Sequence, residues 1–137
     1  HYVYRLTVDR APYVRHYYPL GGRRGAAVTL ELSGPGLDKA SATVLLPAEG
    51  TDAWVRPTWQ GRLLNPVLLE LGDDLEVLEA EPNQSPTQAQ TLPVPGVANG
   101  RIGSAGDVDV WAWEAQEGQT YRLEVARPGW VRRWMLC

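Results

Sequence analysis

The stretch Ala27-Val28-Thr29-Leu30-Glu31-Leu32-Ser33-Gly34-Pro35-Gly36 decides the fold class. Val28, Leu30 and Leu32 fall on one face and Thr29 and Glu31 on the other, the period-two pattern of a half-buried strand. Ser33 to Gly36 then stops it with residues that favour turns. The same grammar repeats on both sides. Towards the N-terminus, the β-prone run Tyr13 to Tyr18 leads into a glycine-rich loop, Pro19-Leu20-Gly21-Gly22-Arg23-Arg24-Gly25. Earlier still, Tyr2, Tyr4, Leu6 and Val8 alternate with Val3, Arg5 and Thr7 until Asp9-Arg10-Ala11-Pro12 breaks the pattern. Towards the C-terminus, Ala42 to Leu46 and Val67 to Leu71 are apolar runs bounded by proline or glycine. Nowhere do apolar residues recur at i, i+3 and i+4 for three turns. Short strands with frequent turn signals predict an all-β chain built on a β-sandwich.

Beyond Leu71 the patterns weaken. Asp73 to Ala80 is acidic and reads as a linker, and Pro82, Pro86, Pro93 and Pro95 limit any helix to a turn or two. Asn99-Gly100 is a turn signal, and Ile102 ends a short strand candidate. Val110-Trp111-Ala112-Trp113-Glu114 and Gln119-Thr120-Tyr121-Arg122-Leu123-Glu124-Val125 are strand-like, with Gly118 turning between them. Tyr4-Arg5-Leu6-Thr7-Val8 echoes Tyr121 to Val125. Either two amphipathic strands share a composition, or residues 1–10 are the terminal strand of a preceding module.

Composition narrows the function classes. The 137 residues begin with His1, without a leader, which suggests a piece of a longer protein. No apolar run approaches the roughly 20 residues of a membrane span. Cys137 is the single cysteine, so neither an internal disulfide framework nor a cysteine metal site is expected. The net charge of −3 is uneven, with Arg5, Arg10, Arg15, Arg23 and Arg24 early and Glu70, Asp73, Asp74, Glu76, Glu79 and Glu81 later. Such blocks read as solvated faces. No basic, aromatic-bearing surface on a recognisable module predicts a nucleic-acid partner. Catalysis is not expected either. His16 is the sole internal histidine, and neither a Gly-x-Ser-x-Gly elbow nor a His-Glu-x-x-His helix is present. Asn83-Gln84-Ser85 fits the glycosylation sequon, followed by Pro86.

The carboxylates are the best candidates for chemistry. Glu79, Glu81 and Asn83 recur at every second residue, so an extended segment points them to one side. Asp107 and Asp109 add a second acidic pair. Oxygen donors of this kind suit calcium, which takes six to eight of them. The alternative is structural, with Asn83 as a helix N-cap and Asp107 holding turn amides. Among the aromatics, Trp111 and Trp113 share one face of their strand, a placement that suits either a core role or sugar or peptide stacking. Trp54 and Trp59, in a turn-rich segment around Pro57, are candidates for a ligand surface.

The order Glu79-Ala80-Glu81-Pro82-Asn83-Gln84, Gly106-Asp107-Val108-Asp109, the Trp111/Trp113 strand, Gly118 and Tyr121 to Val125 resembles the start of the bacterial pre-peptidase C-terminal (PPC) domain. That domain is a β-sandwich appended to secreted peptidases and large surface proteins. In bacterial collagenases it binds calcium through a Glu-x-Glu-x-Asn-Asp linker and a later aspartate pair. The resemblance therefore implies Glu79, Glu81 and Asn83, with Asp107 and Asp109, as calcium ligands. Gln84 stands where the pattern has aspartate, and the later aspartates are spaced differently. The Pro-Leu-Gly-Gly loop followed by Val28-Thr29-Leu30-Glu31-Leu32-Ser33-Gly34 resembles an IPT/TIG domain, an immunoglobulin-like β-sandwich.

The ending departs from the PPC pattern. Residues 126–137 lack strand alternation and hold the only Met and Cys. Read two bases on, the codons of Trp-Val force glycine and those of Trp-Met force aspartate, so the shifted frame permits Leu-Gly-Ser-Pro-Leu-Asp, a run such domains carry. The tail is thus expected to be out of frame, with a genuine Arg/Trp-rich tail as the alternative.

The expected organisation is a terminal strand at 1–10, a small immunoglobulin-like β-sandwich at 11–78, and a truncated, jelly-roll-like β-sandwich module at 79–125 followed by the tail. The expected role is a non-catalytic adhesion, substrate-targeting or spacer module of a large secreted or cell-surface bacterial protein. Its partners would be the other domains of the parent chain and an extracellular polysaccharide or protein. The alternatives are a carbohydrate- or protein-binding module with a defined ligand, and the non-catalytic portion of a secreted peptidase.

Overall fold

A computed structural model describes residues 2–127 and 130–136, with side chains for 2–126. It is all-β. The only helical element among the described residues is one 3-10 turn, Pro86–Gln88. Among the described residues, no helix is long and apolar enough to cross a membrane. Two compact units divide between Asp73 and Asp74.

The first unit holds β1 (His16–Tyr18), β2 (Gly21–Arg23), β3 (Ala27–Gly34), β4 (Leu37–Leu45), β5 (Asp52–Val55), β6 (Thr58–Trp59), β7 (Arg62–Leu63) and β8 (Val67–Gly72). One sheet has the order β1-β3-β4, all antiparallel. The other has the order β2-β8-β5, with β2 parallel and β5 antiparallel to β8. The alternation that marked β3 in the sequence sends Leu30 and Leu32 inward, opposite the small Ala42 and Ala40 of β4. From the facing sheet Val67, Leu69 and Leu71 join the same cluster, so the two sheets form the layers of a small sandwich. Leu30 and Leu69 have no exposed surface. Burying each such side chain stabilises the fold by about 1.5–3 kcal/mol.

Polar bonds join the layers at their edges. The Tyr17 hydroxyl of β1 donates to the Leu68 carbonyl of β8 at 2.6 Å. The Asn65 side chain accepts from the Val14 N–H at 2.7 Å and donates back to its carbonyl at 3.1 Å. Register shifts at the end of β3, where Gly34 has φ 151° and its backbone lies against the Tyr13 carbonyl oxygen. A side chain there would meet that oxygen, so only glycine fits.

The second unit is also all-β, but its ladders are short. They comprise β9 (Leu75–Leu78), β10 (Gln90–Thr91), β11 (Gly96–Asn99), β12 (Trp111–Ala112), β13 (Tyr121–Arg127) and β14 (Trp130–Leu136). β9 pairs with β11 and β10 with β12, both in parallel, whereas β13 and β14 are antiparallel. Among the described residues its buried positions are two asparagines, Asn83 and Asn99, while every buried hydrophobic residue lies in the first unit. Polar clamps hold it instead. Gln90 accepts from the Ala80 N–H and donates to the Leu78 carbonyl, both at 2.8 Å, and Asn99 donates to Glu76 at 2.6 Å.

Two expectations change. Residues 2–10 form no strand, and Tyr2, Val3, Tyr4, Leu6 and Val8 are exposed. Alternation selects a face but supplies no partner, and no neighbouring strand offers one here. The expected linker Asp73–Ala80 contains β9, so the units divide five residues before the 78/79 junction read from the sequence. In the expected out-of-frame tail, residues 128, 129 and 137 lie outside the described residues, as do the side chains of 130–136. The backbone of 130–136 pairs with β13, since ladder hydrogen bonds need no side-chain alternation.

Candidate metal centre

The second unit brings all five candidate ligands into one neighbourhood. Glu79 and Glu81 follow the end of β9, and Asn83 lies two residues on. This segment is anchored at both ends, by Glu79 N–H to the Asn99 carbonyl at 2.8 Å and by Val110 N–H to the Asn83 carbonyl at 2.9 Å. The second bond also fixes Asp109, the preceding residue. Asp107 is set by a tight turn in which its N–H donates to the Ser104 carbonyl at 3.2 Å. Its carboxylate accepts from the Gly103 N–H at 2.6 Å. That is the turn-holding role read for Asp107 in the sequence.

One oxygen each from Glu81, Asp107 and Asp109 lies within 4.8 Å of the others. Two ligands of one calcium ion, at 2.3–2.6 Å bonds, are at most roughly 4.6–5.2 Å apart, so this spacing fits. Glu79 lies beside this group, next to Asp109 over Gly100. A Cβ at Gly100 would stand 2.7 Å from Asp109 Oδ2 and 2.9 Å from Glu79 Oε2. Both carboxylates thus reach over a bare backbone position.

The oxygens are held in different ways. Glu81 Oε2 accepts from the Asn83 N–H at 3.1 Å and from the Gln84 side-chain amide at 2.6 Å. Gln84, where the PPC pattern has aspartate, therefore positions Glu81 with its nitrogen. Glu79, whose side chain is 6% exposed, accepts from the Arg101 N–H through Oε2, and its Oε1 lies 3.7 Å from Arg101 Nε.

Asn83 and Asp109 are the unsatisfied members. Asn83 is completely buried, yet neither its side-chain nitrogen nor its oxygen makes a hydrogen bond, and Asp109 Oδ1 is equally without one. Burial pushes the Asp109 carboxyl above its ordinary range, and the charges of Glu79 and Asp107 push it further. The nearby Asn83 amide favours the charged form, but at a geometry short of a proper hydrogen bond. Asn83 is no helix cap, because the N-cap of the 3-10 turn is Ser85. The chemistry of the set is uniform: hard, anionic or amide oxygens suited to a hard cation.

The candidate aromatic surface divides. Trp54, on the edge strand β5, is 69% exposed and faces out beside Leu68. Trp59 is half-buried and packs against the core of the first unit. Trp111 and Trp113 are both half-buried, so neither joins a fully buried core. Gly100 and Arg101 escaped the sequence reading. The Asn99-Gly100 turn signal pointed to the place but not to its contact with two carboxylates.

No family model, curated protein or solved structure matches this chain.

Proposed function

We propose that the chain is a non-catalytic accessory module of a large secreted or cell-surface bacterial protein, serving adhesion, substrate targeting or spacing. In this reading the second unit is secured by a calcium ion held by Glu79, Glu81, Asn83, Asp107 and Asp109. The observation that carries it is the orphaned Asn83 amide, completely buried at the edge of a carboxylate cluster. A buried polar side chain without a partner costs about 1–3 kcal/mol, and clustered like charges add repulsion. A divalent cation offsets both. A unit with no buried apolar side chain among its described residues also has reason to use a metal as its staple.

Thermal unfolding of the full chain in calcium and in chelator tests the proposal. Extracellular calcium modules bind at roughly 0.1–1 mM. Calcium at a hundred times Kd stabilises by about 2.7 kcal/mol. An unchanged transition at 10 mM calcium would remove the ion from the proposal. A second reading, a carbohydrate- or protein-binding module, is favoured by the exposed indole of Trp54 alone.

A further inference from the structure

Gly100 follows directly on β11, and two carboxylate oxygens lie over its bare Cα. A Cβ there would stand 2.7 Å from Asp109 Oδ2 and 2.9 Å from Glu79 Oε2, whereas ordinary contact begins near 3.4 Å. Both oxygens are therefore closer to this position than a side chain would allow. The surrounding backbone is fixed. The Glu79 N–H donates to the Asn99 carbonyl at 2.8 Å, and the Arg101 N–H donates to Glu79 Oε2. Next to Asp109, the Val110 N–H donates to the Asn83 carbonyl at 2.9 Å. The φ of Gly100 lies outside the left-handed region, so strain at φ does not explain the glycine. What it provides is room for the two carboxylates.

Resting on the calcium reading, we propose that Gly100 is a positioning residue for the ion, whose missing side chain lets Asp109 present its carboxylate to the ligand cluster. Asp109 belongs to the trio whose oxygens lie within 4.8 Å of one another. A carboxylate is one planar group, so moving Oδ2 also moves Oδ1, the buried oxygen without a hydrogen bond. A methyl at Gly100 would drive Oδ2 back by about 0.7 Å, more than the roughly 0.3 Å spread of calcium–oxygen bonds. Glu79 Oε2 would have to retreat as well. Carboxylate ends turn easily, so this displacement costs the fold little and disturbs the ligand geometry most. Gly103 offers a milder counterpart, because a Cβ there would stand 3.3 Å from Asp107 Oδ2.

The test is calorimetric calcium affinity and thermal unfolding of the full chain as wild type, Gly100→Ala and Gly103→Ala. Gly100→Ala should bind calcium at least about tenfold more weakly than wild type. Its midpoint in chelator should be no lower than that of wild type, since alanine also narrows the unfolded ensemble. Gly103→Ala should stay within about threefold of wild type in affinity. Wild-type or tighter affinity in Gly100→Ala, with wild type still binding, overturns the positioning role and leaves the calcium reading standing. An equal loss of affinity in Gly103→Ala does the same, because the effect would then belong to the loop and not to Gly100. A chelator midpoint of Gly100→Ala clearly below wild type would mark a glycine that serves folding and also overturn the role. Absence of calcium binding by wild type removes both.

Discussion

Replacing Asn83 separates the metal reading from a structural one, because the two predict opposite signs. The side chain is completely buried, and both of its polar atoms lack partners. Asn83→Leu keeps the branched shape and removes the stranded donor and acceptor. In chelator the variant should therefore be more stable than wild type by about 1–3 kcal/mol, the cost of an unsatisfied buried polar group. For a unit of this size each kcal/mol moves the midpoint by roughly 4–8 °C. In saturating calcium the order should reverse or close. Wild type gains about 2.7 kcal/mol at a hundred times Kd, while the variant has lost an oxygen ligand and gains less. Asn83→Asp should behave conversely: another charge among the carboxylates lowers stability in chelator and enlarges the calcium increment. Circular dichroism melts of the three full-length proteins, with and without calcium, give all six midpoints. If Asn83→Leu is less stable than wild type in chelator and shows an unaltered calcium increment, the amide is an ordinary packing element and the reasoning fails.

Truncating the core and truncating the surface of the first unit should differ sharply. Leu30→Ala, at a site with no exposure, should cost about 2–5 kcal/mol by denaturant unfolding, whereas Trp54→Ala, 69% exposed, should change stability little and abolish any binding to polysaccharide in pull-down assays. Polysaccharide binding retained by Trp54→Ala would remove Trp54 as a ligand platform. Alkaline pH should destabilise the same unit through Tyr17, whose hydroxyl is held above its ordinary pKa of 10.0 by burial, with the charge of Glu70 adding to it. The unfolded chain loses this proton first, so stability declines as pH rises through 10.0 and the loss is complete above the higher folded value. Tyr17→Phe should lose the hydrogen bond to Leu68 yet show a shallower alkaline decline, and an identical slope would refute the assignment.

What was legible in the sequence was the part governed by burial. Val28, Leu30 and Leu32 announced β3 because one face of that strand meets a core, and Val67 to Leu71 announced β8 for the same reason. Tyr2 to Val8 carries an equally clean alternation and forms no strand, since a pattern encodes a face and not a partner. β9 was hidden for the opposite reason. Leu75 to Leu78 sits among acidic residues and pairs in parallel with Gly96–Asn99, a long-range match that no local rule reveals. At the site, residue types and period pointed to Glu79, Glu81, Asn83, Asp107 and Asp109. The burial of Asn83 and the approach of Arg101 were not readable, because both follow from how the 79–83 segment lies against the 99–110 loop.

The two units therefore depend on different physics. The first carries a core of leucine, valine and alanine, so its stability follows apolar area and responds little to ionic conditions. The second has no buried apolar side chain among its described residues, and its interior is asparagine and carboxylate. Hydrogen bonds that replace bonds to water contribute only about 0.5–1.5 kcal/mol each, and stranded polar atoms and clustered charges work against them. Under the proposed reading, such a unit is held more firmly where something supplies positive charge. Arg101 offers one such charge from the chain itself, and a divalent ion offers two from outside. Under the proposed reading, the surroundings thus decide how firmly the second unit is held, while the first unit stays folded either way. A module with that division would be firm where calcium is plentiful and loose where it is scarce.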